Sequence, residues 1–158
     1  MSGTPRVSVI IPHYRDLGGL DLCLQALARQ TYPSDDFEVI VADNNSPEGE
    51  AAVAEVIAGR ARLTVVREKG AGPARNGGVA LARGEILAFT DSDCVPEAEW
   101  LTEGLSALGA YDFVGGRVTV LVADPAQMSG AEAFERVFAF DFKTYITKKG
   151  FTGAGNLF

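Results

Sequence analysis

The sequence is short of several features that would each announce a function. It has two cysteines, Cys23 and Cys94, with no CxxC pair and no Cys/His cluster. Structural zinc is therefore disfavoured, and a reduced, cytoplasmic setting is expected. His13 is the only histidine, and neither a GxSxG elbow nor a Cys/His pair accompanies it, so the usual nucleophile–base pairs are missing. Cations are outnumbered: 14 Lys and Arg stand against 21 Asp and Glu, a formal charge of −7. Such a chain repels nucleic acid over long range, so no nucleic-acid partner is expected. An anionic substrate would need a local cation to hold it, and a bound metal is the economical one. No apolar run approaches the roughly 20 residues of a membrane helix, and the opening MSGTPRVSVIIP lacks a signal-peptide pattern. Cytoplasmic residence follows as an expectation, with peripheral contact at the inner membrane surface left open for a longer protein.

What is present is a soluble-domain composition, 47% apolar and 22% charged over 158 residues, enough for one core. Short β-branched runs alternate with helical spacing. Val7–Ile11, Phe37–Ala42, Leu63–Val66 and Ile86–Phe89 read as strands. Leu20, Leu24 and Leu27 mark a helix that also carries Cys23 into the core, and Glu50–Ala58 marks a second. A third is expected over Pro73–Arg83, with Pro73 at its first position. A fourth carries Leu101, Leu105 and Leu108, with Glu97 and Glu99 in its first turn. Phe113–Gly116 and Val118–Val122 look like short strands. Ala131–Tyr145 looks helical, with Phe134, Phe138, Phe142 and Tyr145 on one core-facing stripe, and Phe151–Phe158 opens something extended. Alternation of this kind predicts an α/β fold, a parallel sheet with helices on both faces. Residues 1–158 form a single domain in this scheme, with a flexible stretch over 1–6.

Ligands in such sheets bind at the carboxyl ends of the strands, and polar residues fall there. Asp91-Ser92-Asp93 ends the fourth strand. Two carboxylates in that position can hold a hard divalent ion, or they can be solvated loop acids. Asp43 ends the second strand; it can accept from a base or a ribose hydroxyl, or it can simply start the turn DNNSPEG. Arg75, on the helix opened by Gly70-Ala71-Gly72, suits a base or phosphate, and equally a helix surface. That loop is not a dinucleotide fingerprint, because Arg75 stands where the third glycine belongs. Tyr14 can stack on a base. His13 reads as a loop residue with an ordinary role.

The ordered set VSVIIPHYRD, FEVIVADNNS, GAGPARNGG and ILAFTDSDC resembles glycosyltransferase family 2. The likeness runs from Val7 to Phe158. It implies the GT-A fold: a Rossmann-like three-layer α/β/α sandwich whose central sheet is mostly parallel. It implies inverting transfer of a sugar from a nucleoside diphosphate, UDP before GDP, to a saccharide or lipid-linked acceptor. Carried onto this chain, Pro12 and Tyr14 would line the nucleotide pocket, Asp43 would recognise the base and Arg75 would sit near the nucleotide. Asp91 would face ribose or base, and Asp93 would ligate Mn²⁺ or Mg²⁺. FTGAGNLF resembles the family strand that runs antiparallel within the sheet, towards the acceptor site. The family often has Asn where Arg15 stands. It also places its base on an acidic segment after this strand, so the base is expected beyond Phe158 and none is assigned within the chain. A truncated sheet would expose apolar surface, so self-association through the C-terminal edge is expected as well.

Two other functions compete. Asp91-Ser92-Asp93-Cys94-Val95 fits the opening of a haloacid-dehalogenase-type phosphatase, with Lys143, Lys148 and Lys149 as the available lysines. A non-catalytic nucleotide-binding module would also carry these strand ends.

Overall fold

The computed structural model describes residues 4–140 and 144–158. Strands β1 (Val7–His13), β2 (Phe37–Asp43), β3 (Arg62–Val65), β4 (Ile86–Thr90) and β5 (Asn156–Leu157) form one sheet in the order β3-β2-β1-β4-β5. The first four are parallel and β5 is antiparallel to β4. All seven residues of β1 are buried, as the unbroken VSVIIP run requires of a strand covered on both faces. The strand order reverses direction at β1, so loops leaving β1 and β4 part there and open a crevice.

Helices α1 (Leu17–Leu27), α2 (Glu50–Ile57) and α4 (Trp100–Leu108) share one face of the sheet. Leu20, Cys23, Leu24, Leu27, Val53, Ile57 and Leu101 pack there on Val7, Val9, Ile11, Val39, Val41 and Ala88. Helix α3 (Ala71–Val79) covers the other face. Gly78 lets it lie close, since a Cβ at that position would overlap the Ile10 side chain. At the opposite edge from the strand carboxyl ends, buried Glu38 gathers Ser8, Arg62 and Arg83. Burial opposes its charge, but hydrogen bonds from the side chain and backbone of Arg83, with Ser8 and Arg62, outweigh it and hold the carboxyl down at about 2.

Several expectations need correction. Pro5 is buried and the Arg6 N–H donates to Asp36 O at 2.8 Å, so the ordered chain starts before Val7. Helix α3 begins at Ala71, which puts Pro73 third rather than first. The cost is still nil, because the first four N–H groups of a helix have no partner within it. Glu97 precedes α4, Glu99 flanks it, and the first-turn acid is Glu103. Phe113–Gly116 pairs only in part, through the reciprocal Val114–Phe158 backbone bonds and a Gly115–Leu157 bridge. Those bonds set β5 between β4 and this stretch. Val118–Val122 is not a strand. The late helix, α5 (Gly130–Phe138), stops well short of Tyr145, which begins a π-helical turn over Tyr145–Lys149. Its aromatic stripe is not core: Phe134 and Phe138 are 61% and 66% exposed. Phe142 lies outside the described residues.

Candidate functional site

The carboxyl ends of β1, β2 and β4 meet the first turn of α3 around a cleft of about 720 Å³. Pro12, Tyr14, Arg75, Asp91 and Asp93 all line it, so five of the six residues expected at the site come together.

Each is placed by its strand or helix. Pro12 is the sixth of the seven buried residues of β1. Tyr14 follows at 52% exposure, its ring 5.2 Å from the Arg15 guanidinium. Arg75, on α3, donates to Asp91 Oδ1 at 2.5 Å. Its Nε is buried with no partner among the described residues, and a buried donor left unpaired is costly unless a ligand meets it. Gly155, just before β5, comes so close that a Cβ there would sit 3.1 Å from Asp91 Oδ2. Asp93 is exposed, and no cation pairs with it among the described residues. Among the described residues its side chain accepts one hydrogen bond, from the Cys94 thiol at 3.9 Å.

Asp43 is the exception. It is 1% exposed and does not line the cleft. Its Oδ1 lies 2.8 Å from His13 Nδ1 and accepts from Ser46 Oγ at 2.5 Å; its Oδ2 accepts from the Ser46 N–H at 2.9 Å. The parallel register sets His13 opposite Asp43, which is why the two strand ends share this pair. As folded, Asp43 ties β1 to β2 under the cleft, with both of its carboxylate oxygens engaged by His13 and Ser46.

Other residues here were not singled out from the sequence. His13 is not an ordinary loop residue: it is buried on β1, and its Nε2 has no partner among the described residues. Asn44 donates to Val66 O and Glu68 O and accepts from the Gly70 N–H. It thereby shapes the loop that sets Arg67 and Lys69 in the cleft wall. These two cations line the cleft of an acidic protein. The run REKG before the glycine-rich loop was their only trace in the sequence.

The donor set suits a hard divalent ion. Asp91 and Asp93 offer carboxylate oxygens on one wall, and among the described residues no cation pairs with Asp93. Among the described residues no three His, Cys, Asp or Glu side chains cluster to hold a metal by themselves, so a cation here would need oxygens from its ligand or from water. The phosphatase alternative gains nothing. Asp91 follows a fourth strand and is held by Arg75; Lys148 and Lys149 do not line the cleft, and Lys143 lies outside the described residues.

Comparison with known proteins decides the family. The model of glycosyl transferase family 2 matches residues 8–157. The chain belongs to that family. The chain is 36% identical to glycosyltransferase AglE of Haloferax volcanii, over 99% of this chain and 53% of that protein. It is 36% identical to validoxylamine A glucosyltransferase of Streptomyces hygroscopicus subsp. jinggangensis, over 67% of this chain and 26% of that one. It therefore spans about half or less of these relatives. Among solved structures, the mannosyltransferase PcManGT of Pyrobaculum calidifontis, in complex with GDP-Man and Mn²⁺, superposes with a TM-score of 0.60 at 32% identity, over 75% of this chain and 36% of that one. S. aureus TarS in complex with UDP-GlcNAc gives 0.57 at 27%, over 73% and 37%. The fold is thus that of the GT-A glycosyltransferases, with a five-stranded, mostly parallel sheet. Among the described residues no helix is long and apolar enough to cross a membrane.

Proposed function

We propose that this chain binds the sugar donor of a metal-dependent, inverting glycosyltransferase, a nucleoside diphosphate sugar with UDP preferred to GDP. The observation that carries this is the cleft itself: an aromatic ring, an arginine with an unmet buried donor and two carboxylates converge at the strand carboxyl ends of a family 2 chain. The TarS structure with UDP-GlcNAc and the PcManGT structure with GDP-Man and Mn²⁺ support the donor class and the ion.

Each residue then has a task. Tyr14 and Pro12 bound the nucleoside face, where the exposed ring can stack on a base. Arg75, Arg67 and Lys69 meet the diphosphate. Asp91 orients Arg75 and faces the ribose side. Asp93 would hold Mn²⁺ or Mg²⁺, whose chemistry is to offset the charge that grows on the departing diphosphate. Fixed donors aimed at that charge act without reorganising. The acceptor hydroxyl, on a saccharide or a lipid-linked saccharide, would attack from the face opposite the leaving group. We assign no cleft residue the role of base. Exposed Phe134, Val137 and Phe138 on α5 keep self-association as part of the proposal, with light scattering as its check.

Calorimetric titration with UDP, GDP, AMP and inorganic phosphate tests the donor class. The expected order is UDP tightest, GDP next and the other two far weaker in the presence of Mn²⁺. Binding of none of the four, or of AMP as well as UDP, contradicts the proposal.

A further inference from the structure

We propose that a second groove, across Asp93 from the donor cleft, receives the acceptor and selects a neutral, hydroxyl-rich saccharide over an anionic one. This rests on the glycosyltransferase function proposed above and adds a site and a chemical class to it. The groove encloses about 680 Å³. Its walls come from the loop after β4, the start of α4, the irregular stretch 117–121 and β5. Asp93 lines both hollows. A molecule in the second groove therefore lies against the carboxylate proposed to hold the donor's ion. Transfer needs that adjacency, because attack requires the reacting atoms to be held about 3–3.5 Å apart.

The lining sets the class. Trp100 stands in the wall with its ring already fixed: Nε1 donates to Asn156 Oδ1 at 2.9 Å, and the ring packs on Phe158 at a centroid distance of 4.9 Å. An indole held in place offers an apolar surface to the C–H face of a sugar ring at little further cost in entropy. Glu97, Glu99 and Glu103 add three carboxylates, none in an ion pair among the described residues. Carboxylates only accept hydrogen bonds, so sugar hydroxyls suit them as donors. A phosphate or uronate would meet like charge and bring no hydrogen to give. Among the described residues Arg117 is the one cation in the lining, too little to reverse the sign against these three and Asp93.

Trp100 is the only tryptophan of the chain, so its fluorescence reports on this groove. The test titrates the protein, with Mn²⁺ and with or without UDP, using neutral disaccharides (maltose, cellobiose, lactose, mannobiose). Glucuronate-containing disaccharides and sugar phosphates serve as the anionic set. At least one neutral disaccharide should shift Trp100 emission saturably, and the anionic set should bind roughly tenfold or more weakly. The double variant Glu99→Gln, Glu103→Gln should narrow that gap while calorimetric UDP affinity stays unchanged. Absence of any saccharide effect on Trp100, or equal binding of the two sets, overturns the groove proposal. A wild-type protein that binds saccharide but not UDP instead overturns the donor assignment and leaves the groove standing.

Discussion

Arg75 on α3 and Asp91 at the end of β4 are joined by a hydrogen bond of 2.5 Å, so the chief cation and one of the two carboxylates of the cleft neutralise each other. In the proposed complex the diphosphate would draw on Arg75 and leave Asp91 to the ribose side. Arg75→Ala should weaken UDP binding by roughly ten- to a hundredfold, the ~1.5–3 kcal/mol of a hydrogen bond to a charged group. Arg75→Lys should restore only part of this, because a lysine lacks the guanidinium's fork. Calorimetry on the three proteins checks the order, and unchanged affinity in Arg75→Ala would return this residue to the helix surface.

The His13–Asp43 pair makes a different prediction. Asp43→Ala would leave His13 and the Ser46 groups without their partner, so stability should fall by about 1–3 kcal/mol. Nucleotide binding should weaken as the ends of β1 and β2 loosen. Dependence on Mn²⁺ should persist, since Asp43 does not line the cleft. Chemical denaturation and calorimetry read the two effects separately. Loss of the Mn²⁺ dependence in this variant would contradict the division of labour between Asp43 and Asp93.

Acid stability should report Glu38. Its carboxyl is held at about 2 against an ordinary 4.5. A group depressed in the folded state lends stability above its unfolded value, and that stability drains as pH falls through the folded one. The contribution should thus be complete above about 4.5 and lost towards pH 2. Glu38→Gln should cost about 1–3 kcal/mol at neutral pH and flatten the loss over that window. An acid-unfolding curve unchanged by the substitution would mean that Arg62 and Arg83 do little to hold the sheet.

A further test concerns the backbone. Arg15 adopts φ 70° between β1 and α1, the left-handed region where a long side chain is strained. Asn tolerates it better. Arg15→Asn should raise stability by up to about 1 kcal/mol, less whatever the Arg15–Tyr14 ring contact contributes. A fall in melting temperature would show the ring contact to be the larger effect.

The parts that were legible in the sequence are those that local composition decides. Buried parallel strands must read as unbroken apolar runs, so VSVIIP and FEVIVA betrayed the sheet, and the polar residues after them betrayed the cleft. What escaped depends on partners. Val118–Val122 has strand composition, yet pairing stops at the Val114–Phe158 and Gly116–Asn156 bonds, and propensity alone cannot make a strand. The Phe134–Phe138 periodicity was right about a helix but wrong about its burial, since both rings are exposed. His13 was invisible because its role comes from register, and register sets it opposite Asp43 only once β1 and β2 are aligned.

The central claim is that Asp93 holds a divalent ion through which this acidic cleft tolerates a nucleoside diphosphate. Calorimetric titration of UDP with and without Mn²⁺, on the wild type and on Asp93→Asn, tests it most directly. The wild type should bind at least roughly tenfold more tightly with Mn²⁺, and Asp93→Asn should lose most of that gain, consistent with the ~1.5–3 kcal/mol of one charged contact. Equal wild-type affinity in the two conditions, or an Asp93→Asn protein that keeps the full Mn²⁺ effect, would contradict it.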